Sequence, residues 1–160
     1  MSFFQSVYRS PIGALDVRGE GRKISGLTRA KLRSKTGKLP SAVKRDLDGY
    51  FSARGGSASG GKQGSMHFLH TPLKGTALQM KVWKELKRIP WGQCISYGEL
   101  ARRVKKPRAV RAVASAVGKN PIAVFVPCHR VIASDGGLGG YAWGLKMKRW
   151  LLKHEQKRRG

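Results

Sequence analysis

The chain has 160 residues, with 33 Lys and Arg against 8 Asp and Glu, a formal net charge of +25 and 40% hydrophobic residues. That length allows one ordinary domain or two small ones, and the apolar share excludes wholesale disorder. The imbalance of charge weakens a compact fold by self-repulsion that a polyanion would relieve, which puts nucleic acid ahead of a merely basic surface; no amphipathic basic helix with a clear apolar face argues for an acidic membrane.

The first elements are short. A strand is predicted from Phe3 to Tyr8, a turn at Ser10-Pro11-Ile12-Gly13, a second strand over Ala14-Leu15-Asp16-Val17 and the start of a third at Gly26-Leu27-Thr28. Val43, Leu47, Tyr50 and Phe51 recur at helical spacing and predict a helix over 41–51. The Gly/Ser run that follows has little to bury and reads as a linker at about 54–65, dividing the chain into domains 1–65 and 66–160.

Beyond it the signals sharpen. Thr76 can cap a helix with Leu78, Val82, Leu86 and Ile89 inward, ended by Pro90-Trp91-Gly92. Cys94-Ile95 reads as extended. Ser96 with Glu99 fits a capping box for a helix through Val104, broken by Lys105-Lys106-Pro107. A second helix is predicted from Arg108 to Val117, with Val110, Val113 and Val117 inward and Gly118 as its stop; the pair is similar to a helix-turn-helix. Ile122-Ala123-Val124-Phe125-Val126 reads as a buried extended segment leading to Pro127-Cys128-His129-Arg130. A glycine-rich loop, 134–141, and a last helix, 144–155, complete the chain, with a solvated basic tail at Lys157-Arg158-Arg159. There is no internal repeat.

The two cysteines, Cys94 and Cys128, lack CxxC partners, and the four histidines show no ligand spacing, so a structural zinc site is not expected. Free thiols point to a reducing compartment. Met1-Ser2-Phe3-Phe4-Gln5 does not start like a secretory signal, and no stretch reaches transmembrane length; a soluble intracellular protein follows, cytoplasmic in a prokaryote or nuclear in a eukaryote.

A reactive cysteine must become a thiolate and needs a base that is itself oriented. Cys128 and His129 are adjacent, but neighbours on an extended segment point apart, so a water would have to carry the proton. On spacing alone, a buried inert cysteine is the simpler reading. Glu155 follows Leu151 and Leu152 by four and three residues, on an inward stripe, where its carboxylate needs a partner: a histidine ring N–H or one of the many lysines. Arg108, Arg111 and Ser115, with Ala112 beside them, fit one helix face that could approach DNA, or a solvated basic face. Cys94 has neither base nor orienter nearby and reads as structural.

Taken in order, these segments resemble the O6-alkylguanine-DNA alkyltransferase family. The similarity runs from Gly75 to Glu155 and includes Gly75-Thr76-Ala77-Leu78-Gln79, Ile89-Pro90-Trp91-Gly92, Ser96-Tyr97-Gly98, Arg111-Ala112-Val113, Asn120-Pro121, Gly137-Leu138-Gly139-Gly140-Tyr141 and, at its centre, Pro127-Cys128-His129-Arg130-Val131-Ile132. Ser10-Pro11-Ile12-Gly13, Gly26-Leu27, Leu47 and Tyr50-Phe51 resemble the family's small N-terminal domain in shortened form. The resemblance implies an α/β (α+β) fold: a small α/β domain, then a mostly helical domain with a helix-turn-helix. It implies a monomer that repairs double-stranded DNA containing O6-alkylguanine, with O4-alkylthymine a further substrate.

The roles implied are Cys128 as nucleophile and permanent acceptor, His129 as base through a water, Glu155 as its orienter and Asn120 as brace. Tyr97 would assist the leaving base, Tyr141 would wall the pocket, and the backbones of Val131 and Ala142 would read the guanine. Arg111 would fill the base stack from the minor groove, beside Arg108, Ala112 and Ser115. Relatives with Trp in place of the cysteine only bind lesions; that non-catalytic reading is the alternative, and Cys128 argues against it. A cysteine hydrolase, the third reading, lacks a distant His with its own orienter. Zinc, present in some relatives' N-terminal domains, is not expected here.

Overall fold

The computed structural model describes residues 2–52 and 72–157. The predicted linker at 54–65, and Arg158 and Arg159 of the basic tail, lie outside the described residues. The chain divides into two compact units, Met1–Leu73 and Lys74–Gly160.

In the first unit β1 (Phe3–Ser10), β2 (Gly13–Glu20) and β3 (Lys23–Arg29) form an antiparallel sheet in the order β1-β2-β3. Two-residue turns join them, since Ser10 pairs with Gly13 and Glu20 with Lys23. Leu15, Val17, Ile24 and Leu27 are fully or almost fully buried. Helix α1 (Ser41–Phe51) buries Val43, Leu47, Tyr50 and Phe51, at the predicted spacing. Tyr8 ties sheet to helix: its hydroxyl donates to Asp48 Oδ1 at 2.7 Å, and its ring stacks with Phe51 at 6.0 Å.

In the second unit Thr76 caps α2 (Ala77–Leu86) with a full capping box, Thr76 Oγ1 accepting from Gln79 N while Gln79 Oε1 accepts from Thr76 N. The helix stops at Leu86, before the expected Pro90, and Ile89 is buried from the following turn. Strand β4 (Ile95–Ser96) leads into α3 (Tyr97–Arg103). Ser96 caps α3 by accepting from Glu99 N, but the Glu99 carboxylate bonds Arg102 and Arg103, so a second half of the predicted box is not what holds it.

Helix α4 (Val110–Gly118) corrects the sequence reading in three places. Arg108 lies in the turn before the helix, because Pro107 and the turn at 107–108 delay its start. Val110 is 36% exposed, and the buried face is Val113, Ala116 and Val117. Gly118 belongs to the helix, and Lys119 caps it. Trp83 anchors α2 to α4, its indole N–H donating to the Ala116 carbonyl at 2.9 Å.

The segment 122–126 is buried as expected but not extended. It turns back on itself: Val126 N donates to Ile122 O at 2.9 Å, and Val124 holds a left-handed φ of 74°. For a β-branched residue this conformation is strained. The strain sits four residues before Cys128. Cys128–Arg130 then form a 3-10 turn, so Cys128 and His129 are not on opposite faces of a strand as predicted. Strand β5 (Val131–Ile132) pairs in parallel with β4, and α5 (Leu145–Gln156) closes the unit. No helix among the described residues is long and apolar enough to cross a membrane.

Candidate active site

Pairing of β4 with β5 places the first residue of α3, Tyr97, next to the end of the Cys128 segment. Around that junction lies a cleft of about 320 Å³, walled by Cys128, Tyr97, Asn120 and Tyr141, with Ala142 and Trp143 from the segment after the glycine-rich loop. Ala114, Val117 and Gly118 of α4 form another part of the wall. Cys128 is 6% exposed, so its sulfur reaches the cleft and little else.

Burial pushes the Cys128 thiol above its ordinary range, while the Asn120 amide, the Lys148 charge and the Tyr141 hydroxyl pull the other way. Asn120 is itself fixed at both ends: its Nδ2 donates to Val126 O at 2.6 Å, and its Oδ1 accepts from Ile122 N at 3.0 Å. Asn120 therefore braces the turn containing Val124 and faces the thiol at once. The Tyr141 hydroxyl is buried, has no hydrogen bond of good geometry among the described residues, and lies close enough to Cys128 to bias it toward thiolate. Burial and the neighbouring sulfur keep that phenol protonated.

His129 is fully buried, with Nε2 2.7 Å from Glu155 Oε1. Burial opposes the charge on Glu155, but His129 and Arg130 outweigh it and hold the carboxyl well below its usual range. An ionised carboxylate only accepts, so Nε2 carries a proton, and in the neutral imidazole Nδ1 holds the lone pair. Nδ1 has no partner among the described residues, including the sulfur of Cys128. Arg130 completes the cluster: Nε donates to Glu155 Oε2 and Nη2 to Oε1, both at 2.8 Å, and Nη1 to Ile89 O at 2.6 Å. Glu155 thus meets a histidine and an arginine, whereas the sequence had left histidine or lysine open.

Lys148 was missed by sequence reasoning. It is fully buried on α5, and its ammonium donates to Val131 O at 2.6 Å, to Leu138 O and to Gly140 O at 3.0 Å. All three of its protons are used, tying β5 to the glycine-rich loop. The loop rests on Tyr97: Gly139 has a φ of 68°, and a Cβ there would lie 2.9 Å from the Tyr97 ring. The Tyr97 hydroxyl donates to Gly140 O at 3.3 Å.

Val131 is fully buried and does not line the cleft; its N–H goes to Cys128 O and its carbonyl to Lys148. Ala142 does line it. Arg111, Ala112 and Ser115 are exposed on α4, and Arg108 is exposed in the turn before it. Arg111 precedes Ala114 by one helical turn, so it stands on the side of α4 that walls the cleft.

The family model described as "6-O-methylguanine DNA methyltransferase, DNA binding domain" matches residues 77–157. A methylated-DNA–protein-cysteine methyltransferase of Haemophilus influenzae is 35% identical over 167 residues, covering 97% of this chain and 87% of that protein. The protein of the same name from Shigella flexneri is 52% identical over 87 residues, 54% of this chain, and there the match spans about half (51%) of the relative's own length. Among solved structures, OGT of Mycobacterium tuberculosis in complex with DNA superposes with a TM-score of 0.79 at 38% identity, covering 96% of this chain and 93% of that one. The chain belongs to the methylated-DNA–protein-cysteine methyltransferase family.

Proposed function

We propose that this protein repairs double-stranded DNA by moving the alkyl group of O6-alkylguanine onto Cys128, once per molecule. The single observation that carries the reading is a cysteine sulfur opening into a cleft beside an imidazole whose far nitrogen is clamped by a buried carboxylate. The thiol proton passes through a water to His129 Nδ1, and Glu155 stabilises the imidazolium that results. The thiolate then attacks the O6-alkyl carbon; an S–C bond forms and the C–O6 bond breaks with its electron pair going to guanine. The departing guanine takes a proton from the Tyr97 hydroxyl, which gives up its long bond to Gly140, and the proton held on His129 returns through water to the tyrosinate, so that the thiol proton in effect ends on guanine. The protein's own thiol is the acceptor, so the transfer needs no cofactor, and because the thioether product is stable it is not reversed.

A guanine stacked in duplex DNA cannot reach this cleft, so the base must be flipped out at a cost of a few kcal/mol. Arg111, on the cleft side of α4, is placed in this reading to fill the vacated stack, with Arg108, Ala112 and Ser115 near the backbone. Tyr141 and the Ala142 backbone hold the extruded base. Val131 shapes the pocket through the Lys148 bridge, and any contact of its backbone with the base must share an occupied carbonyl. The protein acts as a monomer.

Intact-mass measurement after mixing with duplex containing O6-methylguanine tests the reading. One CH2 is expected on the whole chain, mapped to Cys128 and absent in Cys128→Ala, which still binds the duplex. Uptake by Cys128→Ala would remove the assigned nucleophile, and no uptake by the unaltered protein would leave a lesion-binding role.

A further inference from the structure

We infer that residues 29–38 of the N-terminal unit form a second contact surface for duplex DNA, one that grips backbone phosphates without reading sequence. The inference rests on the reading of this chain as a DNA-repair protein and places part of its binding outside the helix-turn-helix.

Arg29, Lys31, Arg33, Lys35 and Lys38 put five cations into ten residues that contain no acid. All five are exposed, and none makes an ion pair among the described residues. Asp16, on the neighbouring strand β2, is buried and committed to internal bonds with Gln5 and Ser34.

The loop that carries these charges is fixed to the sheet. Ala30 N donates to Ala14 O at 2.9 Å, and Ser34 Oγ donates to Asp16 Oδ2 at 3.2 Å while accepting from Lys31 N at 2.8 Å. Ser6 Oγ donates to Gly37 O at 2.6 Å. The contact at Gly37 is so close that a Cβ there would lie 2.6 Å from Gln5 O. The anchored backbone keeps five like charges within one short loop, and burial of the loop's apolar groups does not explain them, since Leu32 is fully exposed. A line of phosphates relieves the repulsion, and the counterions released from DNA add to the affinity.

Beside the loop runs a shallow groove of about 610 Å³ in which Lys35 and Gly37 face Phe3, Phe4 and Arg18. Arg18 brings a sixth cation, and Phe3 is 82% exposed on β1, an edge strand of the sheet. Cations beside an exposed apolar ring suit a sugar–phosphate backbone, whose anionic and apolar parts alternate.

The test compares, in the full chain, the variant Lys31→Gln/Arg33→Gln/Lys35→Gln/Lys38→Gln with a charge-matched control, Arg9→Gln/Arg22→Gln/Lys23→Gln/Arg45→Gln. Binding to an undamaged duplex is followed by fluorescence anisotropy as salt is raised. Loss of four phosphate contacts makes the slope of log K against log salt shallower by about 3–4, so between 50 and 200 mM salt the unaltered protein loses about 100-fold more affinity than the loop variant. The control is expected to keep the original slope to within about one. An unchanged slope in the loop variant overturns the inference, and so does an equal change in both variants, which would reflect net charge alone.

Lysine acetylation read by mass spectrometry provides a second measurement. Saturating duplex is expected to protect Lys31, Lys35 and Lys38; full acetylation there, or protection by anionic phospholipid vesicles and not by DNA, overturns the assignment. Alkyl uptake from a free O6-modified guanine base separates the two readings. Its failure in the unaltered protein faults alkyl transfer and leaves these binding results standing.

Discussion

The Tyr97 hydroxyl and the Lys148 ammonium converge on one acceptor, the Gly140 carbonyl, at 3.3 and 3.0 Å. The ammonium also lies 5.7 Å from the centre of the Tyr97 ring. One buried cation therefore fixes the glycine-rich loop, strand β5 and the tyrosine that opens α3.

Lys148→Met keeps the length and removes the donors. The Val131 carbonyl is then left buried with one partner fewer, at a cost of about 1–3 kcal/mol, and the loop carbonyls are released. Denaturant unfolding is expected to show that loss. Alkyl uptake should fall more for a free modified base than for duplex, because DNA contacts can still order the loop. Equal losses on the two substrates would mean that Lys148 serves stability alone.

Glu155 makes folding sensitive to acid. Its folded-state pKa lies below the unfolded value, so its stabilisation is complete above the unfolded pKa, about 4.3, and is lost as pH falls toward the folded one. The unaltered protein should lose stability between about pH 5 and pH 2 more steeply than Glu155→Gln does. At pH 7 the substitution leaves Arg130 buried without its counter-charge and is expected to cost about 3–5 kcal/mol. Parallel pH profiles of the two proteins in urea titrations would contradict this.

The thiol of Cys128 is held in its protonated form by burial, so at neutral pH the attack depends on transfer to His129. The single-turnover rate of the unaltered protein is expected to be nearly flat from pH 7 to 8. In His129→Gln it should be lower and rise about tenfold per pH unit, following the thiolate fraction. A flat profile in both proteins would remove the proton relay.

Arg111 stands exposed on the side of α4 that walls the cleft. Arg111→Ala should slow uptake from duplex DNA much more than uptake from the free base, with little effect on the melting temperature. Equal slowing would place Arg111 in the pocket and not in flipping.

Elements marked by local signals were legible from the residues alone. Thr76 and Ser96 cap helices because their hydroxyls act within one turn, and Val43, Leu47, Tyr50 and Phe51 mark α1 through spacing alone. The segment 122–126 was misread because an apolar run reports burial and says nothing of direction; Asn120, six residues from the carbonyl it braces, turns it. Cys128, His129 and Glu155 were nameable in advance, but the arginine on Glu155 was not, since nothing in the sequence marks Arg130 as buried in a chain rich in exposed arginines. Lys148 reads as one more surface lysine in a chain full of them. The available signal was its position, three and four residues before Leu151 and Leu152 and seven before Glu155, on the stripe that faces inward. Its acceptors are backbone carbonyls, which leave no mark in a sequence.

At Gly139 the backbone of the loop lies directly on the Tyr97 ring, with no side chain between them. A side chain at position 139 would have to push the ring or the loop aside, and φ there already lies in the left-handed region, so the spacing of the two changes only when both partners move together.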